Sequence, residues 1–277
     1  MGQKDIVEKG LEDYNDVFSD IVNALVFEGK RAVKPRELRT VKVRSQYKAD
    51  DGKLHEEERD NAKYWKKGKV KIALLGLENQ TEPDQDMPFR VIGYDGAAYR
   101  SQLLDEKSKE RCPVLSIILY FGESHWSSPK SIREMVDIPP GMENYVNDYK
   151  IPIIEVAYLT EEQVKLFRSD FRIIADYFVQ KRKNKKYIPS RRTIRHVDAV
   201  LKFMSVMTGD ERFSEVQKAK KTGGNQTMCV ILDQIENRGI EKGKELMRAE
   251  KDAVIAEKDA ALSRAMELLR KNNIAFA

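Results

Sequence analysis

Apolar positions along this chain fall into two periods. Between residues 5 and 28, Val7, Leu11, Tyr14, Phe18, Ile21 and Leu25 recur at steps of three and four, which predicts one helix ended by Gly29. A second stripe on that helix carries Asp16, Asp20 and Asn23 at i, i+4 and i+7. Alternation around Val41 and Val43 predicts a short strand over 40–44, and a polar, acid-rich connection follows over 50–59. A further strand is expected over Asp60–Trp65. Lys66, Lys67 and Gly68 read as a turn into KVKIALLGLENQTEPD, residues 69–84, whose apolar run predicts a strand over Val70–Glu78. The two strands then pair as a hairpin, which brings Asp60 towards Glu78 across the ladder.

Pro88 near the first helical position opens a predicted helix over residues 87–103, and PVLSIILYFG (113–122) reads as a strand buried on both faces. KIPIIEVAY (150–158) predicts one more strand. From Thr160 the pattern turns helical: Thr160 and Gln163 form a capping box, and Val164, Phe167, Phe171, Ile174 and Phe178 make one helical stripe. A second helix is expected over 190–207, with Val197, Val200, Leu201 and Met204 inward. From Ile235 a long charged helix carries Leu246, Ala249, Ala253, Ala256 and Ala260, a thin coiled-coil seam. It reads equally as an oligomerisation tail and as a solvated helix, because alanine buries little area. The order is helix, three strands, helix, strand and then helices, an α/β arrangement.

With 41% hydrophobic residues in 277, the chain can bury a core, and its 34% charged residues nearly balance at a net +5. Charge placement therefore matters more than charge sum. Cys112 and Cys229 have no partner spacing, which fits a reducing cytoplasm and gives no zinc knuckle or disulfide framework. The N-terminus has no signal-peptide stretch and no apolar run is of membrane length, so a cytoplasmic protein without a membrane span is expected. His55, His125 and His196 lack ligand spacing, and the absence of GxxxxGK[ST] and GxGxxG leaves nucleotide-driven motors and dinucleotide enzymes without support. Lys181, Arg182, Lys183, Lys185, Lys186, Arg191, Arg192 and Arg195 fall within fifteen residues that hold no acid. Such a block matches a phosphate-binding footprint, and equally a solvated connector.

The candidate chemistry lies at the end of the 70–78 strand. Glu78 and Gln80 share a face with Ile72, Leu74 and Gly76, while Asn79 points the other way. A carboxylate at the edge of a core is costly without a metal ion, a cation or backbone donors. Asp60 is the best candidate to share a metal with it, since hard divalent cations collect carboxylate and carbonyl oxygens. A strand-end glutamate reaching solvent is the plainer reading.

Several short pieces, in this order, carry a resemblance: NDVFSDIVNALVF, ERDNAKYW, GLENQTEPDQDMPFRVIGYD, PVLSIILYFG, NDYKI and RGIEKGKE. Together they resemble the bacterial recombination-promoting nuclease and YhgA-like transposase family, of the PD-(D/E)XK nuclease superfamily. The resemblance implies a restriction-endonuclease-like αβββαβ core over 1–125. A strand and helical region with the basic connector over 126–210 would follow, then a charged helical tail over 211–277. It implies a magnesium-dependent endonuclease, with manganese as substitute ion, that acts on double-stranded DNA and is linked to recombination or mobile elements. Asp60, Glu78 and the main chain of Asn79 would be metal ligands, and Asp20 of the first helix would complete the catalytic set. Gln80 stands where the superfamily usually has lysine; an amide orients a water but carries no charge. Arg90 and Tyr94 would face the DNA phosphate, together with the basic connector. The alternative is a catalytically weak or inactive DNA-binding protein on the same fold, and the tail offers a surface for a homo-oligomer.

Overall fold

A computed structural model describes residues 10–41, 44–48, 54–58, 61–104, 110–184, 187–218 and 226–271. The chain divides into two compact units, Met1–Met228 and Cys229–Ala277. In the first, α1 (Asn15–Leu25) precedes the strands β1 (Leu38–Thr40), β2 (Arg44–Lys48), β3 (Leu54–Glu58), β4 (Asn61–Lys67) and β5 (Val70–Gln80). Next come α2 (Met87–Leu103), β6 (Val114–Tyr120) and β7 (Ile153–Glu155). Four helices follow: α3 (Glu161–Leu166), α4 (Phe171–Asn184), α5 (Val197–Thr208) and α6 (Arg212–Lys218), before the long α7 (Met228–Lys271).

A five-stranded mixed sheet in the order β1-β4-β5-β6-β7 forms the centre, and β2 and β3 make a separate antiparallel pair. β4 and β5 pair antiparallel as the expected hairpin, with Gly68 at positive φ in its turn and a register shift between Trp65 and Lys66. β5 and β6 run parallel, joined through α2, so β5 is paired on both sides. That position explains why residues 73–79 are buried and why their pattern is a continuous run. Ala62 and Leu74 pack on Ala98 of α2, while Ile118 and Tyr120 pack on Met87 and Val91. A second aromatic core ties the helices to the sheet: Phe121, just past β6, lies 5.3 Å from the Phe178 ring and 5.5 Å from that of Phe203.

Three predicted helices differ from those observed, each for a physical reason. The first breaks at Asp13–Tyr14, where Lys63 Nζ takes the Asp13 carbonyl at 2.6 Å, and resumes at Asn15. It ends at Leu25, four residues short of the expected Gly29, which lies in the following turn with φ +80° and where a Cβ would meet Leu166 Cδ2 at 2.8 Å. The capping box of Thr160 and Gln163 is present, yet the predicted long helix stops at Phe167, and α4 begins only at Phe171. Backbone N–H groups of Arg168 and Ser169 leave the helical path to donate to Asp20 Oδ2 at 2.7 Å each. The helix expected from residue 190 starts at Val197, because Ile194 N–H bonds the Gln226 carbonyl and the amides of Arg195 and His196 are held by Asp170.

α7 spans 44 residues, about 66 Å at the helical rise. Two of its ion pairs are local, Lys244–Glu241 and Lys271–Glu267, and Leu246 and Met247 are largely exposed. No helix among the described residues is long and apolar enough to cross a membrane.

Candidate functional site

β5 carries Glu78 into the interior at its C-terminal end. Leu77 pairs with Asn61 on one side and Glu78 with Ile118 on the other, and the Glu78 residue is 2% exposed. α2 supplies its cation. Arg90 NH2 donates to Glu78 Oε1 at 2.9 Å and to the Tyr94 hydroxyl at 3.3 Å, while NH1 donates to Asp84 Oδ2 at 2.6 Å. Arg90 and Tyr94 meet because they stand at i and i+4. Burial opposes the Arg90 charge, but Tyr94, Glu78 and Asp84 outweigh it and hold its pKa above the ordinary value. A fixed cation thus bridges two carboxylates, and its side chain, 33% exposed, connects them to the surface. Gln80, the last residue of β5, is half-buried and its carbonyl accepts from Phe121 N–H. Of the residues singled out from sequence, Glu78, Arg90 and Tyr94 form one bonded group. Asp84 was missed; the only hint was its place beside Pro83, ahead of the helix. Asp60 lies outside the described residues, and among those described no group of three or more His, Cys, Asp or Glu side chains is placed to hold a metal ion.

Strand alternation puts a different polar group on the opposite face. Asn79 Nδ2 donates to Glu12 Oε2 at 3.1 Å, with Glu12 fully buried. Beside them Asn61 donates to Asp13 Oδ1, and the fully buried Lys63 donates to the Asp13 carbonyl and, at 2.8 Å, to Asn15 Oδ1. Burial pushes the Lys63 ammonium below its ordinary pKa, and Asp13 and Glu12 counter that in part. Asn61 and Lys63 alternate with Ala62 and Tyr64, so their shared face was readable, but its partner was not.

A protein-family model described as "Putative transposase, YhgA-like" matches residues 65–211, more than half of the chain. The chain belongs to this family. No curated protein and no solved structure matches it. The YhgA-like region runs from Trp65 through α5, so Glu78, Gln80, Arg90, Tyr94 and the basic connector fall inside it. Glu12, Asp20 and Lys63 precede it.

Asp20 shares no described hydrogen bond with the Glu78 group; its carboxylate receives the two amides of the α3–α4 link. Asp20→Ala is therefore expected to destabilise the YhgA-like fold by about 2 kcal/mol, a Tm fall of roughly 4–8 °C in thermal unfolding. An unchanged Tm in the variant would overturn that structural role. Its neighbour Asp16 accepts from His196 Nε2 at 3.0 Å and Arg195 NH1 at 2.9 Å, and the His196 ring stacks on Tyr14. Burial raises the Asp16 pKa, but His196 and Arg195 prevail and leave it below the ordinary 3.8. The carboxylate's stabilisation is complete above pH 3.8 and is lost as pH falls through its lower folded pKa. Asp16→Asn should flatten the slope of stability with pH below 3.8, measured by urea unfolding across that range.

Most of the basic connector is engaged by the chain itself. Lys181 pairs with Glu123 at 3.0 Å and Lys183 with Glu161 at 3.4 Å. Arg182 donates to the Ala157 carbonyl over the Tyr158 ring, Arg192 to the Arg168 carbonyl, and Arg195 pairs with Asp16. Arg191 is exposed, and Lys185 and Lys186 lie outside the described residues. Exposed ion pairs of this kind are weak, so these cations remain exchangeable.

Proposed function

We propose that this YhgA-like protein is a magnesium-dependent nuclease of the PD-(D/E)XK type, with a restriction-endonuclease-like core, that hydrolyses double-stranded DNA. The observation that carries the reading is a carboxylate 2% exposed at the end of a strand paired on both sides, joined by a permanently charged arginine that reaches the surface. A purely structural strand end has no need of that arrangement. The family description, a transposase, adds a link to mobile DNA.

Glu78 and the Asn79 carbonyl are hard oxygen donors that suit magnesium or manganese, and Asp60 would add a second carboxylate. When bound, such an ion lowers the pKa of a water and offsets phosphate charge. Arg90 would bind a phosphate oxygen through its fork of donors, and Tyr94 would fix the orientation of that fork. Gln80 would orient the attacking water through its amide without lending charge.

A second reading, DNA binding without cleavage, is favoured by one contact: the guanidinium already neutralises Glu78 at 2.9 Å. Purified full-length protein separates the two. The nuclease reading requires plasmid nicking with magnesium or manganese that chelator abolishes and that Asp60→Asn eliminates. Intact plasmid under every ion condition, with duplex binding retained, establishes the second.

A further inference from the structure

The cations at the other end of the sheet have no such internal partners. β1 lies antiparallel to β4, setting Arg39 opposite Tyr64 and Leu38 opposite Trp65. Where the register shifts after Trp65, Lys66 and Lys67 lead into the hairpin turn. An open groove of about 750 Å³ there is lined by Lys34, Arg36, Glu37, Arg39, Lys66 and Lys67. Its one acid is held by hydrogen bonds: Glu37 Oε2 accepts from Trp65 Nε1 at 3.0 Å and from Lys34 N–H. Lys67 Nζ lies over the Trp65 ring at 5.3 Å and Lys66 Nζ over Tyr64 at 5.9 Å, so both stems are laid on aromatic faces. Arg39 folds onto the carbonyls of Arg36 and Leu38 and keeps its charge. Glu37 acts through space on Lys34 and Lys67, but among the described residues no direct ion pair joins any of these five cations to a carboxylate. This is the reverse of the 181–195 connector.

We propose that this groove, formed by β1 and the β4–β5 turn, is a binding surface for the phosphate backbone of a DNA duplex. Five cations around a single acid leave the groove strongly positive, an electrostatic footprint, and the two aromatic faces keep the lysines extended at low entropic cost. Lys67 pairs with Val70, eight residues before Glu78 on β5, which sets the turn end of the groove about 26 Å from Glu78 along the strand. The groove therefore holds flanking duplex and takes no part in cleavage. The inference rests on the DNA reading proposed above, and its test needs no metal.

Binding of full-length protein to a 30-base-pair duplex is measured by fluorescence anisotropy in chelator, from 50 to 200 mM salt. The triple variant Arg36→Gln, Lys66→Gln, Lys67→Gln should bind at least about tenfold more weakly at the lowest salt, and its slope of log K against log salt should shrink by between two and three. Arg36→Lys, Lys66→Arg and Lys67→Arg together should restore the slope, and unchanged Tm values show that folding is intact. Wild-type affinity and slope in the triple variant overturn the groove alone. No duplex binding by the wild-type chain overturns both the groove and the DNA reading. Competition by polyglutamate as effective per charge as by DNA makes the groove a face for acidic proteins and overturns the assignment. Salt-sensitive binding that depends on the groove, in a protein that leaves plasmid intact, supports the groove and removes only the nuclease reading.

Discussion

Glu78→Gln is expected to lower magnesium-dependent plasmid cleavage by at least about 100-fold while duplex binding in chelator is unchanged. The substitution is nearly isosteric. Its amide oxygen can still accept from Arg90 NH2, and NH1 keeps Asp84 at 2.6 Å, so the half-buried guanidinium is not stranded. What disappears is the negative charge that a hard cation requires. The stability cost should stay near 1 kcal/mol, far below the loss expected when a buried charge loses every partner. A nicking assay with thermal unfolding run alongside separates the effects. A loss of cleavage that merely tracks a fall in Tm would make Glu78 an anchor for Arg90 and nothing more. Cleavage at the wild-type rate would remove it from the chemistry altogether.

The parts of this arrangement legible in the sequence are those whose causes are local. The apolar run over Ile72–Leu77, Pro88 at the head of α2 and the i, i+4 spacing of Arg90 and Tyr94 each act within one element or across one turn, and the Glu78–Arg90 contact spans only twelve residues. The helix breaks were illegible because distant side chains make them. Lys63 acts on Asp13 from fifty residues away, and Asp20 captures the amide of Arg168 across 148. The same reason hid Glu12, which meets Asn79 only once β5 is seated over the start of α1. Charge was misleading in a related way. The dense run at 181–195 drew attention by its composition, yet pairing with Glu123, Glu161 and Asp16 occupies much of it. The cations that remain available are scattered over residues 34–67 and become neighbours only through the β1–β4 pairing.

Lys63→Met is expected to produce the largest loss of stability, about 3 kcal/mol, seen as a Tm fall of roughly 6–12 °C. Methionine fills much of the same volume against the Phe18 ring, where the ammonium sits 5.3 Å from the centroid, so packing is conserved. The ammonium's donors are not. The Asp13 carbonyl and Asn15 Oδ1 lose them, and the cation facing Asp13 and Glu12 is gone. The burial that depresses the Lys63 pKa offsets part of this, which places the estimate at the low end for a broken buried pair. That depression also predicts a sign. Between its lowered folded pKa and the ordinary 10.5 the unfolded chain holds a proton that the folded one has released, so the Lys63 contribution to stability rises with pH there. Methionine cannot titrate, and the difference between wild type and variant should widen across that window in urea unfolding. Wild-type stability in the variant would mean that the break at Asp13–Tyr14 is fixed by α1 packing alone and that the buried lysine is incidental to the fold.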